Sequence, residues 1–322
     1  MKNAVLHAYY IDSVAKSAEK ISAERLPAIR HENDYIWLQL NFTVPETKTL
    51  LQSLNIGESA VHALTKPESR PRAAVSSDEL LLIVRGINKI SGEKPENMIS
   101  VRILATKNML ISCQKKSLLS IQNLLSDIEQ GNPPLSTGEF IVRLNERIVV
   151  NMGELMENIE DRAIGMEEQV MEESRADCRS ELHHLRRQII QLKRFLIPQR
   201  DALNKLQLEK TGWMTAKQQI RLREVADHLM RFLEALDAAR DLATVSMETL
   251  NQRQNEQINK RMYVLSLVAA LFLPLSFFSG LFGVNLAGIP LAEQPYAFPL
   301  FSLFLLLLVV GLYQFFKRRK WL

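Results

Sequence analysis

Cysteine, glycine and proline are all scarce in this chain of 322 residues, which has 2 Cys, 12 Gly and 12 Pro. The two cysteines, Cys113 and Cys178, form no closely spaced pair, which excludes a disulfide-based scaffold and fits a reducing compartment. The shortage of Gly and Pro argues against disorder and favours long helices. The N-terminus also lacks an apolar run, so we expect no cleaved secretion signal.

Charge is missing from one part of the chain. Of the 40 basic and 36 acidic residues, only Glu293 lies within residues 262–316, where the average charged fraction of 24% would place about thirteen. The mean hydropathy of −0.06 therefore averages two unlike parts. Residues 1–261 have the composition of a soluble body, whereas the later residues are strongly apolar.

Two uncharged segments in this apolar part have the length of membrane-spanning helices. Residues 262–283 correspond to roughly 33 Å of helix and residues 296–316 to roughly 31 Å, against a hydrocarbon core of about 30 Å. Buried helices of a soluble protein are the alternative, but their apolar runs are rarely longer than about 14 residues. We therefore predict two transmembrane helices joined by a short loop, residues 284–295.

The basic residues indicate the orientation of this hairpin. Lys260 and Arg261 precede the first segment and the basic tail, residues 317–322, follows the second, whereas the loop contains no Lys or Arg. The positive-inside rule then places both termini in the cytoplasm and the loop outside the cytoplasmic membrane. Residues 262–322 contain four basic residues and one acidic residue, which leaves only +1 of the net charge of +4 for the rest of the chain. We therefore expect no nucleic-acid partner.

Residues 1–135 mix strand and helix signals and predict a cytoplasmic α/β domain. They contain no phosphate loop, dinucleotide fingerprint or nucleophile elbow, so we expect neither an enzyme nor a tightly bound cofactor. Short apolar or alternating runs predict strands at residues 4–11, 35–42, 79–90, 98–106 and 109–114, and helical patterns cover residues 47–55, 59–65 and 117–130.

Residues 136–211 predict further cytoplasmic helices, of which the first begins with Ser136 and Glu139 in the spacing of a capping box. Residues 154–181 contain ten acidic side chains and three arginines. This excess indicates either a solvated helix face or a surface that concentrates cations near the inner mouth of a pore.

From residue 215 the sequence contains no Gly or Pro until Pro274. It predicts a stalk helix over residues 215–261 that continues into the first membrane segment, about 100 Å in all. Apolar residues recur in the stalk at alternating intervals of three and four, the spacing of a packing seam between helices. They are Leu222, Val225, Leu229, Phe232, Leu236 and Ala239.

The same spacing continues into the membrane segment, where its members become small or mildly polar. Either this face packs closely on another helix or it lines a pore. Six uncharged polar residues just before the membrane, between Asn251 and Asn259, would suit a hydrated ion without trapping it. The three-four stripe, as we call this set, consists of Asn259, Met262, Ser266, Ala269, Leu273, Ser276 and Gly280.

The first membrane segment runs into the sequence SGLFGVNLAGIP, residues 279–290. A Gly-Val-Asn tripeptide at the outer end of the first of two C-terminal spans resembles the Gly-Met-Asn signature of the CorA family of divalent metal transporters. The stretches WLQLNF, ESRPR, PQRD and the terminal KWL agree with that family. The resemblance covers nearly the whole chain and implies a CorA-like funnel: a homopentamer in lipid, with the first span lining the pore.

Carried over by position, Gly283, Val284 and Asn285 would form the outer selectivity filter. Val284 in place of Met is similar to the zinc-transporting branch of the family, so the resemblance implies Zn²⁺ as the transported ion, taken up with or without protons. A magnesium or cobalt channel and zinc export remain alternatives, and a membrane-anchored sensor or scaffold is an alternative of another class. Glu293 is either an attractor for cations outside the pore or an ordinary loop residue.

Two further observations limit the chemistry. Cys178, His183 and His184 are residue types that bind zinc, but separations of five and six residues do not place them on one helix face, so a metal site would need a ligand from elsewhere. Neither membrane segment contains Asp, Glu, His, Lys or Arg. Proton coupling would therefore use water, the loop or cytoplasmic groups.

Overall fold

The computed structural model describes residues 4–23, 26–76, 78–172, 178–209, 211–283 and 294–319. The chain divides into two compact units, residues 1–247 and 248–322. The architecture confirms the predicted fold class: an α/β body followed by long helices, the last two of which are apolar.

Unit 1 contains one seven-stranded sheet with the order β2-β1-β3-β7-β6-β5-β4. The pair β3 and β7 is parallel and every other neighbouring pair is antiparallel. The five inner strands match the five predicted from apolar runs, whereas β2 and β4 at the two edges were missed. The strands are β1 (Val5–Asp12), β2 (Ser17–Lys20), β3 (Tyr35–Asn41), β4 (Arg72–Val75), β5 (Leu80–Gly86), β6 (Ile99–Ala105) and β7 (Met109–Gln114).

Both faces of the sheet are covered, which is why its central strands are apolar throughout. On one face, Leu38 and Leu40 pack against Leu50 and Leu64 of the helices α1 (Pro45–Ser53) and α2 (Glu58–Thr65). A third helix, α3, extends from Leu119 to Glu129. On the other face, the fully buried Trp37 has its ring centroid 4.8 Å from that of Phe140.

Two long helices follow, α4 (Thr137–Met171) and α5 (Cys178–Leu208). Ser136 caps α4, because its hydroxyl accepts a hydrogen bond from the Glu139 N–H at 3.1 Å. The reciprocal half of the predicted capping box is not formed. The carboxylate of Glu139 instead accepts hydrogen bonds from Arg143 and Arg221 at 2.8 to 2.9 Å.

The helix α6 extends over 68 residues, Ala216–Gly283, and begins in unit 1. Its predicted seam is turned into the interior of its own chain, where Leu222, Leu229 and Leu236 are buried. Arg221 forms ion pairs with Glu139 and Glu146 of α4, and Asp237 pairs with Lys193 of α5. The seam therefore holds α6 against the helices α4 and α5 that precede it.

Unit 2 contains the rest of α6 and the helix α7 (Ala297–Arg318). Both helices are long and apolar enough to cross a membrane, with mean hydropathies of 2.2 and 2.1 over their most apolar windows. Neither window contains a side chain buried within this single chain. In a chain of this composition, such apolar helices need lipid or another protein surface around them.

Candidate functional site

One face of α6 packs on α7 within unit 2. The ring centroids of Phe278 and Phe304 are 5.2 Å apart, and those of Phe282 and Phe301 are also separated by 5.2 Å. Leu267 and Leu271, on the same face of α6, are partly covered whereas most of their neighbours are exposed. This face is therefore already occupied by the chain itself.

The predicted three-four stripe lies on the opposite side of α6. At 100° per residue, its members point roughly away from the direction of Leu267, Leu271 and Phe278. The side chains of Asn259, Ser266, Ala269 and Ser276 are all exposed, as are those of Met262 and Leu273. The hairpin therefore leaves its smaller and more polar face without a partner from the same chain.

Gly283 is the last residue of α6. Val284 and Asn285 follow it directly in the sequence, but they and Glu293 lie outside the described residues. Their roles as filter and external attractor therefore stay predictions. What the structure adds is the position of the motif: it follows the C-terminal end of the helix that carries the stripe.

The segment before the membrane is polar and open to solvent. Asn255, Gln257 and Asn259 are exposed, and the side-chain amide of Gln252 donates a hydrogen bond to Glu256 at 3.3 Å. Amide groups offer both donors and acceptors without a fixed charge. This segment can therefore hydrogen-bond the water shell of an ion, as the sequence predicts.

The acid-rich region covers the end of α4 and the start of α5, and residues 173–177 of it lie outside the described residues. Glu157, Glu160 and Asp161 are exposed on α4. Glu154 pairs with Lys89 at 3.0 Å, and its side chain is still 84% exposed. These features fit a solvated face, and the prediction of a cation-concentrating surface stays open.

The structure does not bring together the three predicted zinc ligands of α5. Cys178 is buried, and its thiol donates to the side-chain amide oxygen of Gln169 at 3.6 Å. His183 and His184 are exposed, and His184 lies in a shallow cleft of about 340 Å³ beside Glu181 and Arg162. A zinc site at His184 would exclude Cys178 and would need further ligands beside the histidine.

Among the described residues, one group brings three ligand atoms within 4.8 Å of one another: Asp12, His31 and Asp34. The sequence analysis missed it, because the pairing of β1 with β3 creates the proximity. The carboxylate of buried Asp34 accepts hydrogen bonds from the Tyr10 hydroxyl at 2.6 Å, from the Ser13 amide and hydroxyl at 2.8 and 2.7 Å, and from the His31 amide at 3.0 Å.

These bonds show what the group does. Burial on its own would raise the pKa of Asp34, but the donors on Tyr10, Ser13 and His31 outweigh it and lower that pKa. Asp12 in turn accepts from the amides of Val14 and Ala15. The oxygens are therefore used to tie loops to the sheet, which argues against a metal centre.

Comparisons with known proteins agree with the fold and with the two apolar C-terminal helices. The family described as "CorA-like Mg2+ transporter protein" matches residues 32–318. The chain is 35% identical, over 287 residues, to a protein of Pectobacterium atrosepticum named "Zinc transport protein ZntB", covering 89% of this chain and 88% of the relative. The relatives' names describe transport, which agrees with the expectation that the chain is not an enzyme.

Two solved structures share the fold over nearly the full length. The full-length CmaX protein has a TM-score of 0.85 and 29% identity, covering 99% of this chain and 98% of its own. The CorA magnesium transporter of Methanocaldococcus jannaschii has a TM-score of 0.80 and 18% identity, covering 98% of this chain and 99% of its own. At this low identity, the likeness supports the fold alone. On the family match and the identity to its relatives, the chain belongs to the CorA-like family of metal ion transporters.

Proposed function

We propose that this protein transports divalent metal cations across the cytoplasmic membrane, and that its physiological reaction is zinc uptake. The observation that carries the proposal is the exposed three-four stripe of α6, which leads to the Gly-Val-Asn motif. Zinc rather than magnesium is supported by Val284 at the centre of the motif and by the zinc transport proteins among the relatives. Zn²⁺ is here the cargo of the protein and not a resident cofactor.

The transporting unit is an oligomer. Two helices cannot enclose a water-filled path, because a pore needs a ring of helices around it. α7 covers one face of α6, so copies of the stripe remain free to face one another around a central axis. A homopentamer, the assembly implied by the resemblance, would surround the axis with five stripes and turn α7 toward lipid.

In such a ring, Gly283, Val284 and Asn285 from every copy would meet at the outer end of the pore. Amide and carbonyl oxygens are neutral acceptors that hydrogen-bond the water around a divalent cation without removing that water. Since no carboxylate is present there, the ion would be recognised but not held. Glu293 in the following loop would raise the local concentration of cations.

The basic flanks support an orientation with both termini in the cytoplasm. Neither span contains a group that titrates near neutral pH, so protons, if coupled, would travel with water or through groups outside the spans. The direction of net transport follows from the ion gradient and the membrane potential.

The decisive experiment is zinc uptake by purified full-length protein in liposomes, with and without a pH gradient and in competition with Mg²⁺. We expect liposomes that contain the protein to take up zinc faster than empty liposomes do. Magnesium flux without zinc flux would contradict the zinc assignment and favour a magnesium or cobalt channel. A rate that increases with an inward proton gradient would support coupling.

The variant Asn285→Ala separates transport from scaffolding. If the motif is the filter, removing the Asn285 side-chain amide from every copy changes the zinc uptake rate. The control Gln294→Ala is a matched change in the same loop, and it leaves the rate near that of the unmodified protein. Uptake at the level of empty liposomes for both the unmodified protein and Asn285→Ala would instead identify a membrane-anchored sensor or scaffold.

A further inference from the structure

A basic cleft in unit 1 plays no part in the proposed ion pathway. It lies between residues 66–72 and α5 and has a volume of about 490 Å³. The ESRPR stretch of residues 68–72 forms one wall. Five cationic side chains and one acidic side chain line the cleft, namely Lys66, Arg70, Arg72, Arg85, Arg194 and Glu68.

Glu68 is the acidic side chain of the described lining, and it forms no ion pair with these cations. Within the described part of the chain, none of the five has a carboxylate oxygen within 4.0 Å. Elsewhere in unit 1, by contrast, arginines such as Arg143, Arg147 and Arg221 are paired with acids. The cleft therefore gathers five cationic side chains that no ion pair among the described residues neutralises.

Arg85 forms the floor of the cleft. Its guanidinium donates to the carbonyl oxygens of Met98 at 2.8 Å and Ser69 at 3.0 Å, and lies 4.1 Å from the ring centroid of Phe195. The Nε–H of Arg85 is buried without a hydrogen-bond partner. Burial lowers the pKa of Arg85, and the charge on Glu68 partly opposes this effect. This donor has no acceptor among the described residues, which is costly for a buried group.

A second arginine, Arg102, stabilises the segment that forms this wall of the cleft. Arg102 is fully buried and donates to the carbonyl oxygens of Leu64 at 3.0 Å and Pro67 at 3.2 Å, and to the Ser69 hydroxyl at 3.3 Å. Burial lowers the pKa of Arg102 to about 10, so it stays charged at neutral pH. Two arginines thus hold residues 64–69 in place and add positive charge beneath the cleft without any carboxylate partner.

The geometry points to a binding site for a soluble phosphate-bearing anion with at least two negative charges, held by Arg70, Arg72 and Arg194 between the ESRPR wall and α5. Arginine forms paired hydrogen bonds with phosphate oxygens, and the volume is that of a small-molecule site. The same charges repel Zn²⁺, so this site is separate from the ion pathway. A bound anion would link the edge of the sheet to α5.

Calorimetric titration of the full-length protein in detergent with pyrophosphate tests this proposal, in metal-free buffer at constant ionic strength. We expect saturable binding that weakens at least about tenfold in the double variant Arg70→Gln/Arg194→Gln, because each change removes a phosphate contact. Both side chains are exposed, so the fold is retained. The control Arg223→Gln/Arg231→Gln removes two exposed arginines of α6 and keeps the affinity unchanged.

Three outcomes would overturn the proposal: no saturable binding, equal affinity in the cleft variant, or equal loss in the control variant. Anionic lipid headgroups present the same chemistry, so the titration is repeated in nanodiscs with and without phosphatidylglycerol. We expect pyrophosphate binding in both, and competition by phosphatidylglycerol would assign the cleft to lipid instead. Because no zinc is present, failure here leaves the proposed transport function untouched.

Discussion

At the scale of single residues, Asp34 is a charge kept inside the protein by donors rather than by a cation. The Tyr10 hydroxyl, the backbone amides of Ser13 and His31 and the Ser13 hydroxyl all point at it. The sequence gives no hint of this, because an isolated Asp ahead of a strand is common. The pairing of β1 with β3 brings Tyr10 and Ser13 to Asp34, whereas His31 lies three residues before it in the sequence.

The variant Asp34→Asn should lower stability at neutral pH, by about 1–3 kcal/mol, since it weakens hydrogen bonds to a buried anion. The folded pKa of Asp34 lies below its unfolded value. Its ionised form therefore stabilises the fold fully above the unfolded pKa, and the contribution is lost as the pH falls through the folded pKa.

Thermal unfolding of the full-length protein between pH 7 and pH 3 measures this effect. The difference between the unmodified protein and Asp34→Asn should be largest near pH 7 and shrink below about pH 4. Asp227→Asn, a change at an exposed position of α6, serves as the control and should follow the unmodified protein. A difference that grows in acid would contradict the role of Asp34.

At the scale of elements, the apolar pattern predicted the strands that are covered on both faces and failed at the edges. β2 and β4 have four residues each, mostly exposed side chains and one neighbouring strand. Without a buried face, an edge strand leaves no periodic signal in the sequence. The long helix α6 was easier to predict, because no Gly or Pro interrupts the three-four spacing between residue 215 and Pro274.

Arg221 is the principal charged link between α6 and α4. It donates to Glu139 at 2.8 and 2.9 Å and to Glu146 at 2.6 and 2.8 Å, and those bonds raise its pKa. Arg221→Ala should destabilise unit 1 by about 1–3 kcal/mol, because it removes the partner of the half-buried Glu146 and leaves Glu139 with Arg143 alone.

The measurement is the midpoint of thermal unfolding, which should fall by roughly 2–6 °C. Arg223→Ala lies two residues further along α6 and is exposed, so it removes an arginine without breaking this link and should leave the midpoint unchanged. Equal shifts in both variants would show that net charge, rather than the link between the helices, is responsible.

At the scale of the whole molecule, the stripe lies opposite α7, and the proposed function makes it the pore face and α7 the lipid face. Ala269→Phe should block the proposed path and reduce zinc uptake in liposomes to the background rate, because a bulky ring from every copy would converge on the axis. Val310→Phe, on the exposed side of α7, should leave uptake within about twofold, as expected for a lipid-facing change. Full activity of Ala269→Phe would remove the stripe from the pathway.

The orientation of the hairpin is open to chemical labelling. Both native cysteines, Cys113 and Cys178, are buried, so they contribute little background. Gln294→Cys should react with a membrane-impermeant maleimide in intact cells, whereas Lys48→Cys, exposed on α1, should react only after lysis. The reverse pattern would place the cytoplasmic body on the other side and overturn the orientation.

The charge-free character of the apolar stretches of α6 and α7 has an electrical consequence. Since no fixed charge of the protein lies within the spans, the membrane voltage acts on the cargo and not on the helices. Moving one elementary charge through 100 mV is worth about 2.3 kcal/mol, so a divalent cation gains about 4.6 kcal/mol on entering a negative interior. That energy corresponds to about three orders of magnitude in concentration, enough for voltage alone to drive zinc inward.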